Sequence, residues 1–304
     1  MEYDPRLFTL TSRAGCAKLP DMAIPLEDTA ADVVGKAQRG LGLDDAILAE
    51  KTGIAPAELD AVKQVKGVSP VLVEKLAKEL ELGPRALTAL AEGKYAPKAT
   101  PPSPGFFHAN TPFEDMTVNS YLVWDPETKL AAAFDTGADA TPLLDEIKKQ
   151  GLTLQDIFLT HTHGDHILEL DRLREKAGGS VGVHVAEAEA IDGAATFKPG
   201  VTFSLGKLQI ESRSTSGHSP GGVTYHVHGL NAPLAIVGDA LFAGSAGGIK
   251  VDYRGSLKLI RDNILSAQDN TTLAPGHGPL TTVAQEKVNN PFFPELRQTV
   301  AKDI

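Results

Sequence analysis

A single cysteine, Cys16, stands among 304 residues, which excludes an intrachain disulfide and makes a reducing, cytoplasmic compartment the expectation. No apolar run approaches the roughly 18 residues that a membrane helix needs. The N-terminus carries Glu2 and Asp4 and lacks the unbroken apolar core of a secretion signal. Positive charge is scarce as well: 29 Lys and Arg stand against 39 Asp and Glu, a formal net charge of −10. With no evident basic patch, such a chain repels phosphate backbones and anionic membranes. What remains is ordinary globular composition, 42% hydrophobic and 22% charged with 29 Gly and 20 Pro. At roughly 150 residues per domain, the length suits two domains and a sizeable core.

Four prolines, Pro97, Pro101, Pro102 and Pro104, read as an extended linker over 96–104. Before it, residues 27–95 carry Leu, Val and Ala at three- and four-residue spacing (Val33, Val34, Ala37; Leu72, Val73, Leu76, Leu80), punctuated by Gly40, Gly42, Gly53 and Gly83. That pattern predicts a compact helical domain behind an N-terminal extension, 1–26. After the linker, residues 105–304 read as mixed α and β, with strands over 117–124 and 130–134 and a helix over 141–150. Residues 41–59 resemble the helix-turn-helix of phage-repressor-type regulators, with Gly53 at the turn. The resemblance implies DNA binding, yet the second helix opens Pro56-Ala-Glu-Leu-Asp, placing Glu58 and Asp60 where a phosphate would be repelled. Residues 27–92 hold eight Lys and Arg against twelve Asp and Glu. Docking, or pairing of subunits into a homo-oligomer, is therefore the expectation for this domain, with nucleic-acid binding as the alternative. Residues 13–20 resemble the reactive-cysteine segment of selenophosphate synthetases, but the ATP-binding remainder of such an enzyme is missing, and Cys16 is expected to be an inert thiol.

The chemistry concentrates after a short apolar strand, residues 157–160, which runs into His161-Thr-His-Gly-Asp-His166. In an extended segment residues two apart share a side, so His161 and His163 can converge on one cation. Gly164 then turns the chain, displacing Asp165 and His166 toward a second cation as a helix over 167–176 begins. Here the sequence resembles the metallo-β-lactamase superfamily, whose signature is His-x-His-x-Asp-His at a strand end. The remaining ligands follow in order: His218 in Gly-His-Ser-Pro-Gly-Gly, Asp239 in Gly-Asp-Ala-Leu-Phe, and His277 in Pro-Gly-His-Gly-Pro. The resemblance covers about residues 104–293. It implies an α+β chain with an αββα sandwich after the small all-α domain. It assigns His161, His163 and His218 to a first metal, Asp165, His166 and His277 to a second, and Asp239 to both. Asp165 and Asp239 are the expected catalytic acids, and Asp135 is the expected carboxylate that orients a metal-bound histidine. The cofactors implied are two divalent ions, Zn²⁺ first, with Fe²⁺ or Mn²⁺ as alternatives. The reaction implied is hydrolysis by a hydroxide held between them.

Within the superfamily, Asp239 separates this chain from true β-lactamases, which generally lack a carboxylate there. The blocks around Asp239 and His277 look most like glyoxalase II-type hydrolases. They imply a small thioester as substrate, with a lactonase or other ester or β-lactam hydrolase as runner-up; His277 argues against a persulfide dioxygenase. Lys250, Tyr253 and Arg254 are candidates for an anionic substrate tail, although the alignment there departs from full-length glyoxalase II. Ser219 fits Gly-x-Ser-x-Gly as text, but Pro220 lacks the N–H that an oxyanion hole needs after the nucleophile. His226 and His228 alternate with Val223, Tyr225 and Val227, so both are expected to face solvent. His184 reads as a surface residue and His108 as an unpartnered loop residue near the rim.

Overall fold

The computed structural model describes residues 24–300, the side chains of 298–300 excepted; Cys16 and the first 23 residues lie outside the described residues. Five helices come first: α1 (Ala30–Gly40), α2 (Asp45–Thr52), α3 (Pro56–Lys63), α4 (Pro70–Glu79) and α5 (Pro84–Ala91). Local chemistry sets their starts. Thr29 and Asp32 cap α1 reciprocally, Asp44 accepts from the Ile47 amide on α2, and prolines open the other three, where a missing N–H leaves nothing unpaired. Gly53 turns the chain between α2 and α3 with φ 65°.

Two six-stranded sheets follow. The first joins β1 (Phe106–Phe113), β2 (Met116–Trp124), β3 (Leu130–Phe134), β4 (Thr153–Phe158), β5 (Ser180–His184) and β6 (Ala195–Phe197) in sequence order. The second runs β14 (Thr281–Thr282), β13 (Thr272–Pro275), β10 (Leu234–Gly238), β9 (Val223–His228), β8 (Leu208–Ser214) and β7 (Thr202–Leu205). A small hairpin pairs β11 (Leu241–Phe242) with β12 (Ser245–Ala246). Helices α6 (Thr141–Gln150), α7 (Gly164–Ile167), α8 (Leu170–Ala177), α9 (Tyr253–Ile260), α10 (Val283–Asn289) and α11 (Pro294–Val300) complete the chain.

The pleat sorts side chains into three cores. Tyr121, Val123, Ala132 and Phe134 meet Ile210, Tyr225, Val227 and Ile236 between the sheets. Their strand neighbours Leu122, Trp124, Ala131 and Ala133 face the other way, under α6 and α8. On the outer face of the second sheet, Ala235, Val237 and Leu273 join one core with Val33, Leu76 and Leu87 of the N-terminal helices and with Tyr253, Ile260 and Phe293. The N-terminal helices thus serve, with α9 to α11, as the outer layer of an αββα sandwich. No helix among the described residues is long and apolar enough to cross a membrane.

The single helix expected over 167–176 is two. Glu169 leaves the spiral because its amide donates to Thr136 Oγ1 (3.2 Å) and its carboxylate accepts from Ala140 N and Arg172.

Candidate metal centre

The loops that carry chemistry leave the ends of β3, β4, β10 and β13 and the turn before β9, all at one edge of the sandwich. Seven side chains meet there in two groups. In the first, His161 Nε2 and His218 Nε2 stand 3.0 and 2.9 Å from His163 Nδ1. In the second, His277 Nε2 and His166 Nε2 stand 3.2 and 3.4 Å from Asp165 Oδ2. Asp239 faces both. Its Oδ2 is 3.4 Å from His218 Nε2 and 3.5 Å from His277 Nε2, and its Oδ1 is 3.3 Å from His166 Nε2. The geometry therefore brings together all seven residues that the motif and its downstream partners single out.

The electrostatics of this arrangement call for positive charge. Asp165 and Asp239 have no Lys or Arg partner among the described residues, only imidazoles. Burial alone would push the Asp239 carboxyl up, but the neighbouring His166 charge holds it well below the usual range. Burial would likewise lower His166 and His277. The carboxylates win: Asp239 and Asp135 lift His166 to about 10, and Asp165 with Asp239 lifts His277 to about 11. In the first group burial prevails, holding His161 well below its ordinary value and bringing His218 down to about 4. His166 Nε2 and Asp239 Oδ1 are buried with no hydrogen-bond partner. Imidazoles kept neutral on one side, carboxylates that hold their imidazole neighbours protonated on the other, and two buried ligand atoms without a hydrogen bond suit divalent cations with nitrogen and oxygen ligands.

Further contacts fix the orientation of these groups. Asp135, in the left-handed region at φ 56°, accepts from His166 Nδ1, Thr160 Oγ1 (each 2.8 Å) and the Thr160 amide. His277 Nδ1 donates to Thr117 O at 2.7 Å, and Asn119 donates to the carbonyls of Pro275 and Gly278 on either side of that histidine. Glu187, in the 3₁₀ turn 185–190, accepts from Thr162 Oγ1 and from the Gly221 amide, clamping the His161 loop to the His218 loop. Sequence reasoning missed Glu187 and Asn119. Neither sits in a chemical pattern, and their partners are distant in the chain.

Beside His163 and His218 opens a cleft of about 580 Å³, lined in part by Ser216, Ser219, Lys250, Asp252 and Leu259. Of the three candidate substrate residues only Lys250 reaches it. Tyr253 is buried against Gly40, and Arg254 pairs with Glu81, so the first turn of α9 directs both toward the N-terminal helices. Ser219 is buried, with its Oγ unpartnered.

Other histidines depart from expectation. His226 is buried, not solvated, and bonds Asn263 O at 2.7 Å, because the π-helical turn 261–265 covers that face of β9. His228 is exposed, as expected, and His184 is partly exposed with Nδ1 accepting from Ala186 N. His108 lies on β1 rather than in a loop and has a partner, Asn119 Oδ1 at 2.8 Å.

Comparison with known proteins matches the stretch of chain that carries these ligands. Residues 114–277 match the model of the metallo-beta-lactamase superfamily. The Bacillus subtilis (strain 168) protein YqgX, named a probable metallo-hydrolase, is 33% identical over 206 residues, 60% of this chain and 95% of that one. The hydroxyacylglutathione hydrolase GloC of Haemophilus influenzae is 29% identical over 198 residues, 58% of this chain and 92% of its own. Among solved structures, BLEG-1 B3 metallo-beta-lactamase aligns with a TM-score of 0.53 at 30% identity, covering 62% of this chain and 99% of that one. ETHE1 from Myxococcus xanthus, at 24% identity and TM-score 0.52 over 65% of this chain and 90% of its own, shares the fold. With more than half of its length matched, ligand loops included, the chain belongs to the metallo-beta-lactamase superfamily.

Proposed function

We propose that this chain is a dinuclear, metal-dependent hydrolase of the glyoxalase II type, acting on a small thioester. The observation that carries the reading is Asp239, whose carboxylate faces both ligand groups at 3.3 to 3.5 Å and so suits a pair of cations rather than one. His161, His163 and His218 would hold one ion, Asp165, His166 and His277 the other, and Asp239 both. Two such ions supply an activated water near neutral pH and Lewis acidity toward a carbonyl. The donor set of imidazoles and carboxylates suits Zn²⁺ and also Fe²⁺ or Mn²⁺. The chain's own groups do the rest. Asp135 holds His166 by its far nitrogen, and Asp165 Oδ2, beside His277 Nε2, is the oxygen placed to accept a proton. Lys250, exposed on the cleft beside His163, is placed to meet an anionic tail.

The likeness to a hydroxyacylglutathione hydrolase supports a thioester, and the likeness to a B3 β-lactamase makes a β-lactam the second substrate to assay. The N-terminal helices supply an outer layer of the sandwich. A DNA-reading role for them has poor support: Glu58 and Asp60 of α3 are exposed, and Lys63 is engaged by Asp45 and Asp60. Metal analysis should return about two ions per chain, and S-lactoylglutathione should be hydrolysed in preference to homoserine lactones and a chromogenic β-lactam. His163→Ala and Asp239→Ala should each lower turnover by at least about a hundredfold without changing the circular dichroism. Full turnover after exhaustive chelation would overturn the reading.

A further inference from the structure

The lead-in to α1 lies across the second ligand group. Gly278, next to His277, has φ 72°, and a Cβ placed on it would stand 3.2 Å from the Glu27 amide nitrogen and 3.5 Å from Pro25 O. The backbone of residues 25–27 therefore rests directly on the loop that carries His277. The Glu27 carboxyl is half-buried there, close enough to His277 and Asp239 for both charges to act on it. Its neighbours hold the segment in place. Asp28 accepts from Ser245 Oγ and from Lys36, and Lys36 Nζ also donates to Ala246 O at 2.9 Å. The same ammonium stands 5.0 Å from the centre of the Phe242 ring, which meets the His277 ring edge-on at 5.8 Å. The N-terminal helices thus do more than cover a sheet: the segment that leads into them packs on the loop that carries His277.

The two flanks of the centre then differ. Lys250 lines the cleft on the His163 and His218 side, whereas on the other side Lys36 is paired with Asp28, and Glu27 adds its negative charge to those of Asp165 and Asp239 beside His277. We propose that Glu27 is a specificity-determining residue: it makes the His277 flank acidic, so that the centre takes an acyl compound with its anionic end toward Lys250 and a neutral end toward Glu27. This inference rests on the hydrolase reading above for the identity of the compound. It implies a substrate class, thioesters of an anionic thiol with an uncharged acyl group, and exclusion of acyl groups that carry a second carboxylate.

The test uses the full-length, metal-loaded protein at pH 8 and two thioethers that cannot be hydrolysed, S-butylglutathione and S-(3-carboxypropyl)glutathione. Their affinities are measured by calorimetry for the wild type, Glu27→Gln and Glu27→Lys. The wild type should prefer the butyl compound; Glu27→Gln should narrow that preference by about tenfold and Glu27→Lys should reverse it, with metal content unchanged. Lys250→Gln should weaken both compounds alike. An unchanged preference in both Glu27 variants, or failure of the wild type to bind either compound, overturns the role of Glu27. Turnover of S-lactoylglutathione is followed separately: a shifted binding preference without turnover would overturn the assigned reaction and leave Glu27 standing.

Discussion

Gly276 measures how little space the ligand side chains have. A Cβ at this position would overlap Asp239 Oδ1 and stand 2.6 Å from His166 Cε1, pushing apart the carboxylate that faces both groups and a histidine of the second. Neither can retreat, since Asp239 and His166 are buried and Asp135 pins the imidazole. Gly276→Ala should therefore cost the protein its second metal equivalent and about a hundredfold or more in turnover, with the fold retained. Gly248→Ala, where nothing lies within 4 Å of the added carbon, should be silent. Elemental analysis and steady-state rates of the two variants decide the matter; equal metal content would refute the steric argument. At this scale the ligands were legible because each sits in a compact motif at a strand end. Glu187 and Glu27 were not: each is an ordinary acidic residue until tertiary structure places it against a loop far away in the chain. His226 was misread for a related reason, because the alternation of β9 identifies its face but not the turn that covers it.

Among the elements, α10 governs the hairpin that follows Asp239. Its Glu286 is fully buried and accepts from the Tyr95 hydroxyl, Thr281 Oγ1 (2.7 Å), the Gly244 amide and Asn290 Nδ2 (each 2.9 Å). This network ties the end of the N-terminal helical segment to the turn between β11 and β12. Burial raises the Glu286 carboxyl above its ordinary 4.5 despite these donors. A carboxyl raised on folding contributes stability that is fully present below the unfolded value and is lost as pH rises through the folded one. Glu286→Gln replaces an acceptor with an amide that faces donors, and at pH 5 it should cost about 1–3 kcal/mol. Only the wild type carries the titrating group, so its advantage should shrink between pH 5 and pH 8. Urea titrations across that range check the sign; an advantage that grows with pH would contradict it. Apolar spacing and turn residues made several elements readable, including the helix over 141–150, which spans Thr141–Gln150 as expected. The break between α7 and α8 was hidden, because it is bought by Thr136, outside that segment. So was the face of α9 that carries Tyr253, which points to a neighbour that local pattern cannot name.

Taken whole, the molecule joins the N-terminal helices to the second sheet through a continuous core. The linker prolines suggest separable units, whereas Leu87 of α5, Ala235 and Val237 of β10 and Phe293 belong to one buried cluster. A chain built this way should unfold as a single unit, because exposing that face of the sheet costs most of what covers it. The single tryptophan makes this measurable. Trp124 is buried on β2, in the core beneath α6 and α8, and reports the first sheet, in a different core from the N-terminal helices. Far-ultraviolet circular dichroism reports the helices. Leu87 is fully buried, and Leu87→Ala should cost about 2–5 kcal/mol. If the core is shared, the tryptophan and circular-dichroism midpoints should fall together in urea. A tryptophan transition left unmoved while the helical signal shifts would mean that the helices fold apart from the sandwich, and Glu27 would then rest on a segment able to come away from the centre.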